Sequence, residues 1–182
     1  MTGFVVWFTG LSAAGKSTIA GLLADELEGR GLLVDRLDGD VVRTHLSKGL
    51  GFSKADRDTN IERIGWVASR LARAGAAVVV SAISPYDEAR RKARALVEEQ
   101  SSFVLVYVAT SLDECERRDP KGLYAKARAG EIVEFTGVSD PYEEPLDAEL
   151  RLETVGRTPQ ESVRLTLRRL EELELLENEV AA

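Results

Sequence analysis

The chain has 182 residues, 44% of them hydrophobic, with 24 basic against 31 acidic side chains and a formal net charge of −7. That length buries a core in one domain, and the acidic balance disfavours nucleic acid and anionic membrane as partners, so any phosphate site must be a local basic pocket. Cys115 is the single cysteine, which fits a reducing compartment; no apolar run reaches the ~20 residues that span a bilayer and no basic segment precedes the first apolar run, so the expected location is cytoplasmic.

Residues 4–9 are an apolar run that predicts a strand covered on both faces. The run leads into Gly10, Leu11, Ser12, Ala13, Ala14, Gly15, Lys16 and Ser17, which fits G-x-x-x-x-G-K-[ST] ahead of a helix predicted over 16–30. Glycines at these places let successive N–H groups point at phosphate oxygens, and the helix offers its positive N-terminus. Lys16 can then reach the β and γ phosphates of ATP, and the Ser17 hydroxyl can ligate Mg²⁺. No Asn-Lys-x-Asp motif follows, which argues against a GTPase, and no later strand ends in the Asp-Glu pair typical of ATP-driven motors.

A second strand, predicted over 32–37, ends in Asp38, Gly39 and Asp40 beside the cradle. Two carboxylates there can orient magnesium or take a proton from a substrate hydroxyl; equally, they can form an Asp-Gly turn and a helix cap. The lone histidine, His45, falls in a short polar helix and reads as exposed. Arg43 and Phe52 precede a helix predicted over 53–74, with Ser53 as its N-cap and Asp56 at its positive end. On that helix Arg57 and Asn60 share a face continued by Ile64. An arginine, an amide and a nearby aromatic suit a ligand with a base and an anionic group, although each alone would more often be surface or core.

A third strand over 77–81 runs into Ala82, Ile83, Ser84 and Pro85, where Pro85 pre-sets a helix over 86–99 and Ser84 reads as its N-cap. A strand over 103–108 and a helix over 112–117 follow. From 117 to 145 the chain is polar and broken by Gly122, Gly130, Gly137, Pro141 and Pro145, as in a functional lid or a disordered segment. In its first half Arg117, Arg118, Lys121, Lys126 and Arg128 stand against Asp119 alone, which favours closure over an anion. A strand over 150–153 and a helix over 159–177 complete the pattern, with residues 177–182 expected to fray. The expected fold is α/β: a three-layer P-loop NTPase-type domain spanning 1–182, with a mostly parallel sheet of about five strands, helices on both faces and a mobile lid.

These elements resemble the adenylylsulfate kinase family over nearly the whole chain. The match lies in the cradle 10–18 and in Leu37 to Arg43, the stretches 49–53 and 60–64, residues 81–86, Lys121-Gly122-Leu123-Tyr124, and Phe135-Thr136-Gly137. The resemblance implies transfer of the γ-phosphate of ATP to the 3'-hydroxyl of adenylyl sulfate (APS), giving 3'-phosphoadenylyl sulfate (PAPS), with Mg²⁺. It implies that the cradle through Thr18 binds ATP, that Asp38 is the base and a metal-organising group, and that Asp40 helps order the site. It further implies that Arg43, Arg57 and Asn60 hold the phosphosulfate and ribose of APS, that Phe52 and Phe135 sandwich its adenine, and that Ile83, Ser84, Lys121, Gly122 and Leu123 line its place.

Ser84 matches a phosphoenzyme position of some members, yet in-line transfer needs positioning and charge stabilisation rather than a covalent step. Two residues depart from the family pattern: Ala13 stands for a usual glycine and Val41 for a frequent asparagine. The alternatives are another small-molecule or nucleotide P-loop kinase, shikimate-like or gluconate-like, or a nucleotide-binding module without transfer. Assembly is open, a homodimer among the options.

Overall fold

The computed structural model describes residues 3–177. Five strands, β1 (Phe4–Thr9), β2 (Val34–Asp38), β3 (Ala77–Ser81), β4 (Ser102–Val108) and β5 (Leu150–Leu152), form one sheet in the order β2-β3-β1-β4-β5 with every pair parallel. The alternation of side chains along β1 explains its unbroken apolar run. Phe4, Val6 and Phe8 enter one core with α1 (Lys16–Gly29) and α7 (Pro159–Glu172), while Val5 and Trp7 enter another under α3 (Lys54–Arg73) and α4 (Asp87–Glu98). The result is three layers. Each fully buried large side chain contributes about 1.5–3 kcal/mol. On the second face the helices touch closely: a Cβ on Gly65 would lie 2.9 Å from Ala93 Cβ.

After β1 the chain passes to the β2 edge, and after β3 it crosses to β4 on the other side. Such a switch opens a crevice at the carboxyl ends of the central strands. The cradle and Asp38 both lie at those ends.

Several expected boundaries move. Three short helices, α2 (Gly39–His45), α5 (Leu112–Arg118) and α6 (Leu123–Arg128), punctuate the loops, and α6 lies inside the stretch read as a lid. β2 begins at Val34, two residues later than expected, and Leu33 before it is exposed. α7 ends at Glu172: Glu174 turns left-handed (φ 59) and Leu175 N bonds back to Leu170 O, which returns Leu176 to the core. Of residues 177–182, expected to fray, 178–182 lie outside the described residues. Ser53 does cap α3, accepting from Asp56 N at 3.2 Å. Ser84, in contrast, does not cap α4. The cap position falls to Tyr86, without a side-chain bond, because Pro85 is followed by one more extended residue before the helix starts at Asp87. No helix among the described residues is long and apolar enough to cross a membrane.

Candidate active site

The cradle is shaped by backbone that ordinary side chains resist. Gly10 has φ 149, and a Cβ there would sit 2.6 Å from Val108 O; Gly15, the N-cap of α1, is left-handed at φ 106. Ala13 also takes a left-handed conformation, φ 60, which explains why a glycine is the easier residue at that place. From outside, Thr110 Oγ1 donates to Ala14 O (2.9 Å) and Tyr124 OH donates to Ser12 O (3.0 Å), so the loop is braced by β4 and α6 flanks.

Lys16 is buried, and its Nζ donates to Leu11 O at 2.7 Å, folding the side chain back on its own loop. Burial lowers its ammonium to about 8, with Cys115, Asp38 and Asp40 pulling the other way. A bound polyphosphate would raise it again. ATP affinity should therefore be full below about pH 8 and weaken as pH rises through that value, by up to about tenfold per unit. Calorimetric titration between about pH 7 and 9 checks this, and a flat profile would contradict it.

Asp38 caps α2, accepting from Asp40 N at 3.0 Å, so the helix-cap reading is geometrically present. It also accepts from Ser17 Oγ and Ser81 Oγ, each at 2.7 Å, so the cap shares its carboxylate with the cradle. Burial opposes its ionisation, yet these hydrogen bonds outweigh that and hold the carboxyl below its usual range. It is an anion at neutral pH. Asp40 meets the Lys121 ammonium, which brings the 119–122 stretch before α6 against the cradle side.

A cavity of about 740 Å³ extends from the cradle between α2, α3 and the 119–136 segment. Ser12, Ala13, Gly15, Lys16, Ser17 and Thr18 line it, together with Asp38 and Asp40. Arg43, Phe52, Arg57, Asn60, Ile83 and Ser84 form the facing wall, and Lys121, Leu123 and Phe135 close it. Gly10, Leu11, Ala14 and Gly122 do not reach the cavity: the first three shape the loop behind it, and Gly122 caps α6 at φ 65.

On the facing wall the Arg43 guanidinium lies 4.4 Å from the Phe52 ring centroid. Arg57 is held by Phe52 O (2.7 Å from Nε) and by Glu134 O, with Asp140 at 3.9 Å, so α3 is tied directly to the segment around Phe135. Asn60 is 5% exposed and its Oδ1 has no partner among the described residues. Phe52 is 53% exposed, whereas Phe135 packs edge-on against Tyr124 at 5.0 Å. Ser84 is left-handed (φ 45) and 1% exposed; its hydroxyl accepts from Trp7 Nε1 (2.9 Å) and donates to Ala82 O (3.1 Å).

The basic excess counted from 117 onward is offset within the structure. Arg117 and Arg118 both bond Glu114 and belong to α5, Arg128 bonds Glu116, and Lys121 bonds Asp40. Glu114 and Glu116 lie just upstream of the stretch and Asp40 lies far from it in sequence, which is why a count begun at 117 missed them. Ser81 was missed as well. The register that pairs Asp38 with Ser81 brings the two together, and two predicted strands ending in polar residues beside the cradle were the available signal.

A strand-loop-helix phosphate cradle at the switch point of a parallel sheet, with an anionic carboxylate on its serine and a second cavity wall opposite, defines a P-loop phosphotransferase. The family model for adenylylsulphate kinase matches residues 2–153. Similar curated relatives include the adenylyl-sulfate kinase of Rippkaea orientalis, 53% identical over 98% of this chain and 97% of that protein. A probable bifunctional SAT/APS kinase 2 of Sorangium cellulosum is 54% identical over 95% of this chain, which spans only 29% of that longer protein. Among solved structures, the Mycobacterium tuberculosis APS kinase CysC in complex with AMPPNP and APS superposes with a TM-score of 0.91, 47% identical, covering 93% of this chain and 98% of that one. The chain belongs to the adenylylsulfate kinase family, which separates it from the shikimate-like and gluconate-like kinases considered above.

Proposed function

We propose that this chain transfers the γ-phosphate of ATP to the 3'-hydroxyl of APS. The acceptor oxygen bonds to the γ-phosphorus, the bond from that phosphorus to the β–γ bridging oxygen breaks, and ADP leaves while the hydroxyl proton passes to Asp38 or solvent. The observation that carries this reading is the single cavity that joins the cradle to a wall of Arg43, Arg57, Asn60, Phe52 and Phe135. ATP phosphates fit the cradle, the two guanidiniums suit a phosphosulfate, and the phenylalanines suit a base.

Among the described residues no group of three or more His, Cys, Asp or Glu could hold a metal alone. Magnesium rarely needs one, since it binds through one or two protein oxygens plus substrate phosphates. The Ser17 hydroxyl and the Asp38 carboxylate, already in contact, fit that sparse donor set. When bound there with ATP, Mg²⁺ would neutralise charge on the β and γ oxygens.

ADP release at saturating MgATP, measured with and without APS, tests the reading, which fails if APS gives no stimulation. The phenylalanine pair tests the acceptor. Base–aromatic stacking is worth roughly 1–3 kcal/mol, so Phe52→Ala and Phe135→Ala should each raise the KM for APS by about five- to a hundredfold with the Kd for ATP unchanged. Phe52 gives the cleaner comparison because it is half exposed, whereas Phe135 also supports Tyr124. Equal losses for ATP and APS, accompanied by a lower Tm, would remove the clamp.

A further inference from the structure

Residues 82–86 carry the chain from β3 to α4 along the cavity wall, and residues 141–145 end the long segment that closes the cavity. A buried guanidinium joins them. Arg90, on the first turn of α4 and 2% exposed, donates from NH1 to Ser84 O and from NH2 to Glu143 O, each at 2.7 Å. Its nearest carboxylate is Asp87, 3.3 Å from NH2. Around this fork the two strands of chain are laced together. Glu143 N donates to Pro85 O (2.8 Å), and Glu143 Oε2 accepts from Asp87 N (2.6 Å). Tyr142 OH lies 2.8 Å from Thr9 Oγ1, which donates to Ile83 O at 2.7 Å.

The lacing surrounds a strained residue. Ser84 holds φ 45, a conformation that non-glycine residues keep only where their surroundings over-determine it. Its carbonyl is held by Arg90 and its hydroxyl by Trp7. Arg90 does not line the cavity, so it cannot touch a ligand there in this arrangement.

We propose that Arg90 is a positioning residue for the acceptor: its planar fork fixes the carbonyls of Ser84 and Glu143 in one geometry, so that the strained turn and the end of the closing segment act as one piece. The proposal takes the cavity as the APS site, as argued above. Fork geometry rather than charge is what the arrangement needs, because an ammonium on a flexible stem does not reproduce two fixed, coplanar donors.

Arg90→Lys, Arg90→Met and Tyr142→Phe test it, each measured for APS KM, ATP Kd, Tm and amide exchange. Both Arg90 variants should raise the APS KM about tenfold or more while ATP Kd stays within about twofold, and lysine should not rescue. Tyr142→Phe should shift the APS KM in the same direction by less. In the substrate-free protein, exchange at the Glu143 and Asp87 amides should quicken together in the Arg90 variants. Wild-type APS KM and exchange in Arg90→Lys would overturn the proposal, as would equal losses for ATP and APS alongside a lower Tm. If Arg90→Met does not fold, Arg90→Lys decides alone. An absence of APS turnover in the unaltered protein would instead overturn the functional reading, and the exchange measurement, which uses no substrate, still decides whether Arg90 couples the two segments.

Discussion

Lys16→Ala should lose about three orders of magnitude or more of phosphoryl transfer while remaining folded. The side chain holds a desolvated cation among the cradle amides and the Asp38 and Asp40 charges, and among the described residues its hydrogen-bond partner is Leu11 O. Removing it sacrifices one hydrogen bond but also relieves a buried charge, so the two effects on stability oppose each other. Transfer has no such compensation. The charge that builds on the departing and moving phosphate oxygens then meets no ammonium, and the remaining amides cannot replace a full positive charge in a water-poor site. Initial rates of ADP release with APS, alongside a thermal melt, check both halves. Normal turnover in a folded variant would end the P-loop reading.

Asp38→Asn should reduce kcat by about two to four orders of magnitude, and Ser84→Ala by far less. Asparagine is nearly isosteric: its Oδ1 can keep the Asp40 amide, and the Ser17 and Ser81 hydroxyls can rotate to accept from its Nδ2. What disappears is the negative charge that would take the acceptor proton or help hold magnesium. The depressed pKa of Asp38 makes it a weak base but a constant anion, which suits a loose transition state that asks little of a base.

Ser84 is placed differently. Its hydroxyl is committed to Trp7 and Ala82 in a buried pocket, with no base within the hydrogen bonds it makes, so it is poorly set to attack phosphorus. Truncating it strands the Trp7 N–H, and the expected cost is about 1–3 kcal/mol of stability rather than chemistry. A folded but inactive Ser84→Ala variant, or ³²P trapped on Ser84 at a competent rate, would make direct transfer wrong.

The sequence by itself determined the features whose physics is local. The cradle is eight contiguous residues whose glycines, lysine and serine act on one phosphate chain, so its spacing can be read without knowing the sheet. The same holds for the Ser53 cap of α3 and for the shared face of Arg57, Asn60 and Ile64, because helical period alone aligns them. The existence of β1, β3 and β4 followed from apolar runs covered on both faces.

Only the tertiary structure decided what depends on register and on chain closure over long separations. Ser81 reaches Asp38 because β2 and β3 end level with each other. Phe52 and Phe135 border one cavity because the segment after α6 folds back over α3 and is held there by Arg57. The expected Ser84 cap failed for the same reason: locally, a serine before proline favours a helix start, but Arg90 and Trp7, from α4 and β1, hold that serine in a left-handed turn instead. Charge pairing was decided this way too, since Arg128 finds Glu116 only once α5 and α6 lie together. A short run of residues carries its own backbone preferences and side-chain period. It carries no record of which distant carbonyl or carboxylate the fold will bring to it.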